Sequence, residues 1–280
     1  MPELPEVETV RRGLEAHVVG RTVARVQVTG ARSVRRQGAV ELEGALVGRR
    51  LEGAGRRGKY LLVDLDDGAV LVVHLRMSGQ LRFVAAPATA VPVERHTHVR
   101  VGFTDDSELR FVDQRTFGEL FVAAELDAAR VPVALAGLGP DPLVHGIDPE
   151  RLALAAAGRR TSVKAFLLDQ RVLAGVGNLY ADEALFRARI RPDRPVGSLG
   201  PRRLGRLVGA LASVLGEAVT ARGSTLRDAR YVDLMGEPGT FQAAHAVYGR
   251  EGEPCLRCGR PIRRIQLAGR SSHLCPACQR

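Results

Sequence analysis

The chain has 280 residues, of which 45% are apolar and 26% charged, and its formal net charge is +10 at pH 7. It contains no run of 18 apolar residues, and its acidic start, MPELPEVETVRR, lacks the apolar segment of a secretory signal. These features predict neither a transmembrane helix nor a signal peptide, so we expect the protein in the cytoplasm. A chain this basic usually binds a polyanion, with nucleic acid the first candidate and a generally basic surface the alternative.

Hydrophobic periodicity predicts three successive regions. Residues 5–19 have an apolar stripe at helical spacing, and alternation from about 21 to 123 predicts strands. We place these strands at 22–28, 59–65, 69–75, 80–84, 98–103, 109–113 and 119–123. Short strands without intervening helices imply an antiparallel sandwich.

Helical patterns begin at residue 131 and end in a long loop. Asn178 is predicted to cap one of these helices, and a long helix is predicted to end at Gly223. Residues 223–243 are rich in glycine and polar groups, and a loop of this length is usually functional or mobile.

Lysine and asparagine are rare in this chain. Of 41 basic residues only Lys59 and Lys164 are lysine, and Asn178 is the single asparagine. This bias indicates a GC-rich, bacterial genome. An ammonium can release a proton and a guanidinium cannot readily do so, so the surviving lysines are candidates for positions where arginine does not suffice. Chance survival is the alternative.

All four cysteines lie in the last 26 residues, with the spacing C-x2-C-x16-C-x2-C. They are Cys255, Cys258, Cys275 and Cys278. Two such pairs predict one tetrahedral structural zinc ion, with no open position for catalysis. Two disulfides or four free thiols are the alternatives, and a cytoplasmic chain argues against disulfides.

A family resemblance runs through the whole chain in order. It rests on the opening PELPEVETVRRGL, on GKYLL (58–62), HLRMSG (74–79), DQRTFG (113–118), GVGNLYADEALF (175–186) and VYGREGEPC (247–255), and on the cysteine pairs. Together these segments resemble bacterial formamidopyrimidine-DNA glycosylases.

The resemblance implies an α+β multidomain fold. Its parts would be an N-terminal antiparallel β-sandwich with a leading helix (1–130), a helix–two-turns–helix domain with a lesion-recognition loop (131–243) and a four-cysteine zinc finger (244–280). It also implies a monomer that binds damaged duplex DNA near the bacterial nucleoid.

The implied chemistry centres on the N-terminus. Once Met1 is removed, Pro2 presents a secondary amine, and a terminal amine has a pKa of about 7.7–8.0, so much of it is neutral and nucleophilic near pH 7. The resemblance makes Glu3 the general acid and Glu6 a supporting carboxylate. For Pro2, Glu3 and Glu6, an ordinary role at a helix start is the alternative.

Two basic residues complete the implied catalytic set. The resemblance assigns proton donation during β-elimination to Lys59 and a phosphate contact that assists δ-elimination to Arg270. For Arg270 the alternative is a solvated basic side chain.

The remaining implied residues bind DNA. Met77, Arg115 and Phe117 match the family's wedge, which fills the gap left by a flipped nucleotide; without the motifs, a core Met and a core Phe would be the better interpretation. Arg227 and Tyr231 are candidates for contact with the base. The implied phosphate contacts are His74, His96, Arg159, Lys164, Asn178 and Arg270.

The resemblance therefore implies a glycosylase and lyase that excises oxidised purines through a Schiff base on Pro2 and then cleaves the strand by β,δ-elimination. An endonuclease VIII-like enzyme for oxidised pyrimidines is the first alternative, although its usual opening is PEGPE and this chain has Leu4. A catalytically silent DNA-binding paralogue is the second.

Overall fold

The computed structural model describes residues 2–226 and 231–280, and it confirms the predicted mixture of antiparallel sheets and helices. The helices are α1 (Leu4–His17), α2 (Ala39–Leu46), α3 (Pro149–Ala156), α4 (Val163–Leu168), α5 (Asn178–Ala188) and α6 (Pro201–Thr220). The strands are β1 (Val23–Val28), β2 (Leu51–Arg57), β3 (Tyr60–Leu65), β4 (Val70–His74), β5 (Gly79–Val84), β6 (Thr97–Phe103), β7 (Glu108–Asp113), β8 (Glu119–Ala123), β9 (Arg263–Leu267) and β10 (Arg270–Leu274).

The chain forms two compact units, neither of which is continuous in sequence. The first comprises residues 1–136 and 221–240, and the second comprises 137–220 and 241–280. The division into domains at 130 and 243 stays a prediction. Among the described residues, no helix is both long and apolar enough to cross a membrane.

The first unit contains two four-stranded antiparallel sheets, with strand orders β1-β6-β7-β5 and β2-β3-β4-β8. Alternate side chains of these strands enter one core, as the period of two predicts. The apolar stripe of α1, including Val7, Val10 and Leu14, is buried in the same core. Helix packing on the sheets thus fixes the N-terminal end of α1, where Pro2 and Glu3 lie.

The segment 221–240 completes this core. Tyr231 and Leu234 are buried within it, and the backbone N–H of Phe83 donates to the carbonyl of Leu234 at 2.9 Å. Gly13 leaves room for Leu234, since a Cβ at Gly13 would lie 2.8 Å from the Leu234 Cβ.

The second unit is built around α5. Both faces of this helix are buried, and its Phe186 packs with Val247, Ile262 and two of the cysteines. Strands β9 and β10 form a two-stranded hairpin beside it. The loop predicted at 223–243 therefore divides between the two units.

Three local predictions differ from the structure. Helix α2 and strand β2 were not predicted, because α2 is short and β2 has the sequence LEGAGRR, whose glycines and charges are uncommon in strands. Asn178 is the first helical residue and Gly177 is the N-cap. Helix α6 ends at Thr220, three residues before the predicted Gly223.

Candidate functional site

The N-terminal segment is buried and held by its own helix. Pro2 is buried, and Glu3, which caps α1, is 4% exposed. The backbone N–H of Glu3 donates to Glu6 Oε2 at 2.8 Å. Glu6 therefore fixes the backbone beside Pro2, and its supporting role in catalysis stays a prediction.

Glu6 also joins this segment to residues 221–240. Its Oε1 accepts a hydrogen bond from the backbone N–H of Ser224 at 2.8 Å. Tyr231 lies close by, and its hydroxyl donates to the carbonyl of Arg222 at 3.0 Å. Burial raises the pKa of Tyr231 above its usual value, and the nearby charge of Glu6 adds to this. Tyr231 thus has a place in the core, and Arg227 lies outside the described residues.

Lys59 lies in the tight turn between β2 and β3, and Arg56 ties that turn to α1. The buried Arg56 donates from Nε to Glu8 Oε2 at 3.0 Å and from Nη1 to the carbonyl of Gly58 at 3.0 Å. Burial would raise the pKa of Glu8, but the hydrogen bond from Arg56 and the charge of Arg11 hold it below its usual range. An ionised Glu8 therefore links the helix of Pro2 and Glu3 to the turn of Lys59.

His74 ends β4 next to this turn. It pairs across the sheet with Tyr60, and the two rings meet edge to face at 4.3 Å. Burial, with the charges of Arg76 and Lys59, lowers the pKa of His74 to about 3. The backbone N–H of Arg76 donates to Nδ1 at 2.9 Å, so the proton of the neutral ring lies on Nε2. This arrangement suits a neutral hydrogen-bond donor to a phosphate.

The three predicted wedge residues protrude from two loops of the first unit. Met77 is 40% exposed on the loop between β4 and β5, and Phe117 is 39% exposed on the loop between β7 and β8. The guanidinium of Arg115 lies over the Phe117 ring at 5.0 Å. His96 is half-buried, and its carbonyl accepts from the N–H of Asp113 at 3.0 Å. The exposure of Met77 and Phe117 argues against the alternative in which both side chains pack in the core.

Lys164 occupies an interior position in the second unit. It is 1% exposed, and its Nζ lies 2.7 Å from Asp182 Oδ1 and donates to the carbonyl of Ser271 at 2.7 Å. The same carboxylate accepts from Ser272 Oγ at 2.8 Å and from the N–H of His273 at 2.8 Å. Lys164 and Asp182 therefore attach β10 to α4 and α5, which favours a structural role for Lys164 over the predicted phosphate contact.

The other predicted residues of this unit lie closer to solvent. Arg270 is exposed at the start of β10, directly after the turn formed by Ala268 and Gly269. Arg159 is exposed, with its guanidinium 5.6 Å from the centre of the Phe166 ring. Asn178 is half-buried at the N-terminus of α5. A guanidinium and a helix N-terminus are both suited to binding phosphate.

The four cysteines form the predicted metal site. Their sulfur atoms all lie within 4.8 Å of one another, with 3.5 Å between Cys258 and Cys275 and 4.0 Å between Cys255 and Cys278. Four sulfurs at about 2.3 Å from one zinc ion would be about 3.8 Å apart, so the donors fit a tetrahedral zinc. The zinc stabilises the hairpin that carries Arg270.

Comparison with known families agrees with this architecture. Residues 1–120 match the formamidopyrimidine-DNA glycosylase N-terminal domain, residues 138–230 match the H2TH domain of the same enzymes, and residues 252–280 match a zinc finger found in FPG and IleRS. The chain belongs to the formamidopyrimidine-DNA glycosylase family. The zinc finger match confirms one structural zinc ion per chain.

Members of this family from other bacteria are similar over their full length. The chain is 47% identical to formamidopyrimidine-DNA glycosylase of Nocardia farcinica, covering 100% of this chain and 98% of the relative. It is 48% identical to that of Geobacillus kaustophilus, with 100% of both chains covered.

Solved structures of the family have the same fold. The MutM (Fpg) protein of Thermus thermophilus superimposes with a TM-score of 0.87 at 44% identity, covering 99% of this chain and 98% of that one. MutM bound to DNA with carbocyclic 8-oxo-G gives 0.89 at 34% identity, with complete coverage of both. Lactococcus lactis Fpg bound to abasic-site DNA gives 0.88 at 33%, covering 99% of each chain.

Several residues that organise the family site were missed in the sequence. Buried carboxylates share the task of fixing backbone near the predicted site residues. Glu183, for example, accepts hydrogen bonds from the N–H groups of Ala246, Val247 and Tyr248 at 2.8–2.9 Å. Burial raises the pKa of Glu183, and these bonds oppose that rise. Asp113 and Asp182 also accept from backbone N–H groups, whereas the buried Glu119 binds the side chains of Arg35, Arg36 and Arg76. All but Glu119 lie within the quoted motifs, and Glu119 directly follows one.

Proposed function

We propose that this protein is a bifunctional DNA glycosylase and AP lyase of base excision repair, and that it removes oxidised purines from duplex DNA. The observation that carries the proposal is the buried N-terminus. Glu6 fixes the backbone of Glu3 beside Pro2, and Glu8 and Arg56 tie the same helix to the turn of Lys59. The names of the relatives and the damaged DNA in their structures support the substrate class.

The reaction starts at the amine of Pro2, after removal of Met1. The amine attacks C1′ of the damaged nucleotide, the bond from C1′ to the base breaks, and the base leaves with its electron pair and takes up a proton. Glu3 protonates the ring oxygen as the sugar opens, which gives an iminium between Pro2 and C1′. Loss of the C2′ proton then expels the 3′ phosphate. A second elimination expels the 5′ phosphate, and water releases the amine.

The remaining predicted residues supply binding. Met77, Arg115 and Phe117 enter the stack in place of the flipped nucleotide. Lys59, His74 and Arg270 contact phosphates near the lesion, where Lys59 donates a proton in β-elimination and Arg270 assists δ-elimination. His96, Arg159 and Asn178 contact further phosphates, which position the duplex without reading its sequence. The protein acts as a monomer on chromosomal DNA in the bacterial cytoplasm.

Borohydride trapping tests this proposal. The zinc-loaded protein is incubated with duplexes that carry 8-oxoguanine opposite cytosine, or an oxidised pyrimidine, and the iminium is reduced to a stable adduct. We expect a covalent adduct with the 8-oxoguanine duplex and strand cleavage in the absence of reductant. An adduct only with the pyrimidine would favour the endonuclease VIII-like alternative, and no adduct with either would overturn the enzymatic proposal.

A further inference from the structure

Asp113 lies where the two wedge loops meet. Met77 belongs to residues 75–78, between β4 and β5, whereas Arg115 and Phe117 belong to residues 114–118, between β7 and β8. The loops are thus separate in sequence, and each ends on a different strand. Asp113 is the last residue of β7 and is 0% exposed.

The carboxylate of Asp113 binds both loops. Its Oδ1 accepts from Ser78 Oγ at 2.5 Å and from the backbone N–H of Arg115 at 3.2 Å. Its Oδ2 accepts from the backbone N–H of Gly118 at 2.7 Å. One side chain therefore holds the residue after Met77 together with the beginning and the end of the loop that carries Arg115 and Phe117.

This carboxylate is buried and is bound by neutral donors. Within the described parts of the chain, Asp113 makes no ion pair, and neutral N–H and O–H donors satisfy it. Burying an unpaired charge is unfavourable unless hydrogen bonds offset the loss of water. An apolar residue here would leave the N–H of Gly118 and the hydroxyl of Ser78 without this acceptor, so the carboxylate is explained by the loop groups that it holds.

The backbone of both loops departs from ordinary conformations. Arg76 and Thr116 have φ values of 52° and 54°, in the left-handed region that non-glycine residues seldom adopt. Gly118 cannot be replaced without displacement, because a Cβ there would lie 2.5 Å from Phe111 Cζ and 3.1 Å from Asp113 Oδ2. Such conformations persist only where surrounding contacts determine them.

We propose that Asp113 is a positioning residue that couples the two wedge loops, so that Met77 and the Arg115–Phe117 pair enter the duplex as one rigid element. The proposal rests on the proposed function, since it needs DNA as the partner. It assigns a specific step to this carboxylate: base extrusion, and with it discrimination of the base opposite the lesion. Once the nucleotide is extruded, the chemistry at Pro2 does not depend on Asp113.

The test compares two substrates with one set of variants. Asp113→Asn replaces an acceptor oxygen with a donor. Ser78→Ala removes one of the three hydrogen bonds of Asp113, and with it the bond from the N–H of Arg115 to Ser78 Oγ at 3.2 Å. Asp106→Asn, in the exposed turn at the other end of β7, is the matched control.

Each variant is measured in single turnover on an 8-oxoguanine duplex, which requires extrusion of a paired base, and on a preformed abasic duplex, where no base has to be unpaired. A 2-aminopurine beside the lesion reports wedge insertion without background, because the chain has no tryptophan.

We expect Asp113→Asn to slow base excision about 10- to 100-fold, in proportion to the displacement of the loops. Ser78→Ala is expected to produce a smaller loss in the same direction. For both variants, cleavage of the abasic duplex should stay within about twofold of wild type. The change in 2-aminopurine fluorescence should slow together with excision. The preference for cytosine over adenine opposite the lesion should decrease. Asp106→Asn should match wild type.

Equal losses on the two substrates, or no loss on either, would overturn the coupling role. If Asp113→Asn does not fold, Ser78→Ala carries the same test, since its serine is the less buried of the two partners. Failure of the proposed function is distinguished separately, because the wild-type protein itself would then fail to excise 8-oxoguanine.

Discussion

The ammonium of Lys164 lies 2.7 Å from Asp182 Oδ1 in the interior of the second unit. The same carboxylate binds Ser272 and His273, two and three residues after Arg270 on β10. One buried ion pair therefore anchors the strand that presents Arg270, and it determines how that arginine is held relative to α5.

Replacing Lys164 is expected to destabilise the second unit. Lys164→Met would leave the Asp182 charge buried without its cation, with an expected loss of about 3–5 kcal/mol in the free energy of unfolding. The double variant Lys164→Met/Asp182→Asn should recover part of this loss, because the unpaired buried charge of Asp182 is then removed. Urea titration of the zinc-loaded proteins measures both.

Salt titration of DNA binding is the control for Lys164. A structural Lys164 leaves the slope of log K against log salt concentration unchanged in the folded variant. An unchanged unfolding midpoint, together with a slope reduced by about 0.9, would instead place Lys164 on a phosphate.

Glu3→Gln should impair catalysis while sparing binding. Removing a general acid typically reduces the rate by about 10²–10⁴-fold, and the amide keeps the shape of the side chain. We expect this loss in single-turnover excision, with DNA affinity close to wild type in a gel-shift titration. Glu15→Gln, an exposed position on the same helix, is the matched control. A variant that excises 8-oxoguanine at the wild-type rate would remove Glu3 from the mechanism.

His74 should make the protein less stable at mildly acidic pH. Burial first, and then the charges of Arg76 and Lys59, lower its pKa to about 3 in the folded state, against about 6.5 unfolded. Between these values the unfolded chain binds the extra proton, so the contribution of His74 to stability is present above pH 6.5 and is lost as pH falls. The expected slope is about 1 kcal/mol per pH unit between pH 6 and pH 5.

His74→Gln isolates this effect from other acid-sensitive groups. The stability difference between wild type and variant, measured by urea titration at pH 7.5, 6.5 and 5.5, should move in favour of the variant as pH falls. A difference that stays constant across this range would show that His74 is not buried in its neutral form.

Gly223→Ala should disturb Glu6. Gly223 has a φ of 77°, and a Cβ there would lie 2.7 Å from Glu6 Oε1. The left-handed conformation alone is expected to cost about 1–2 kcal/mol, and the steric conflict about 1–3 kcal/mol more. Base excision should slow in parallel, since Glu6 holds the backbone beside Pro2.

Gly249→Ala provides the comparison for Gly223→Ala. Gly249 has a similar φ of 73°, but nothing lies within 4 Å of a Cβ built there. Its variant should show the conformational penalty alone and wild-type excision. Equal effects of the two substitutions would mean that Glu6 tolerates displacement.

The sequence was sufficient where function depends on residues close together along the chain. The zinc ligands follow from two C-x2-C pairs, and the alternating strands of the first unit follow from the burial of every second side chain. Asp182 and Glu119 were missed because their partners come from other loops and strands, and Asp113 was missed because its link to Ser78 joins two loops that are 35 residues apart. The contact between Asp182 and Ser272, for instance, spans 90 residues, and nothing in the local pattern around Asp182 indicates it.

Lys164 illustrates the opposite difficulty. Its rarity and its match to a phosphate-contact position of the family marked it as important, which its buried ion pair supports, but the same features suggested DNA as its partner. A sequence pattern can indicate that an ammonium is needed without showing whether its counter-ion is a phosphate or a carboxylate of the same chain. Tyr231 is similar, since its position in a long polar loop gave no indication of its place in the core.

The return of residues 221–240 to the first unit has a consequence for biosynthesis. A nascent chain of 136 residues has all eight strands of that unit, but it lacks Leu234, which packs at Gly13, and Ser224, whose N–H binds Glu6. Helices α3 to α6 leave the ribosome before these residues do. The segment around Pro2 therefore acquires its final surroundings only late in translation, after most of the second unit has been made, and an incomplete chain lacks the hydrogen bond from Ser224 that holds Glu6.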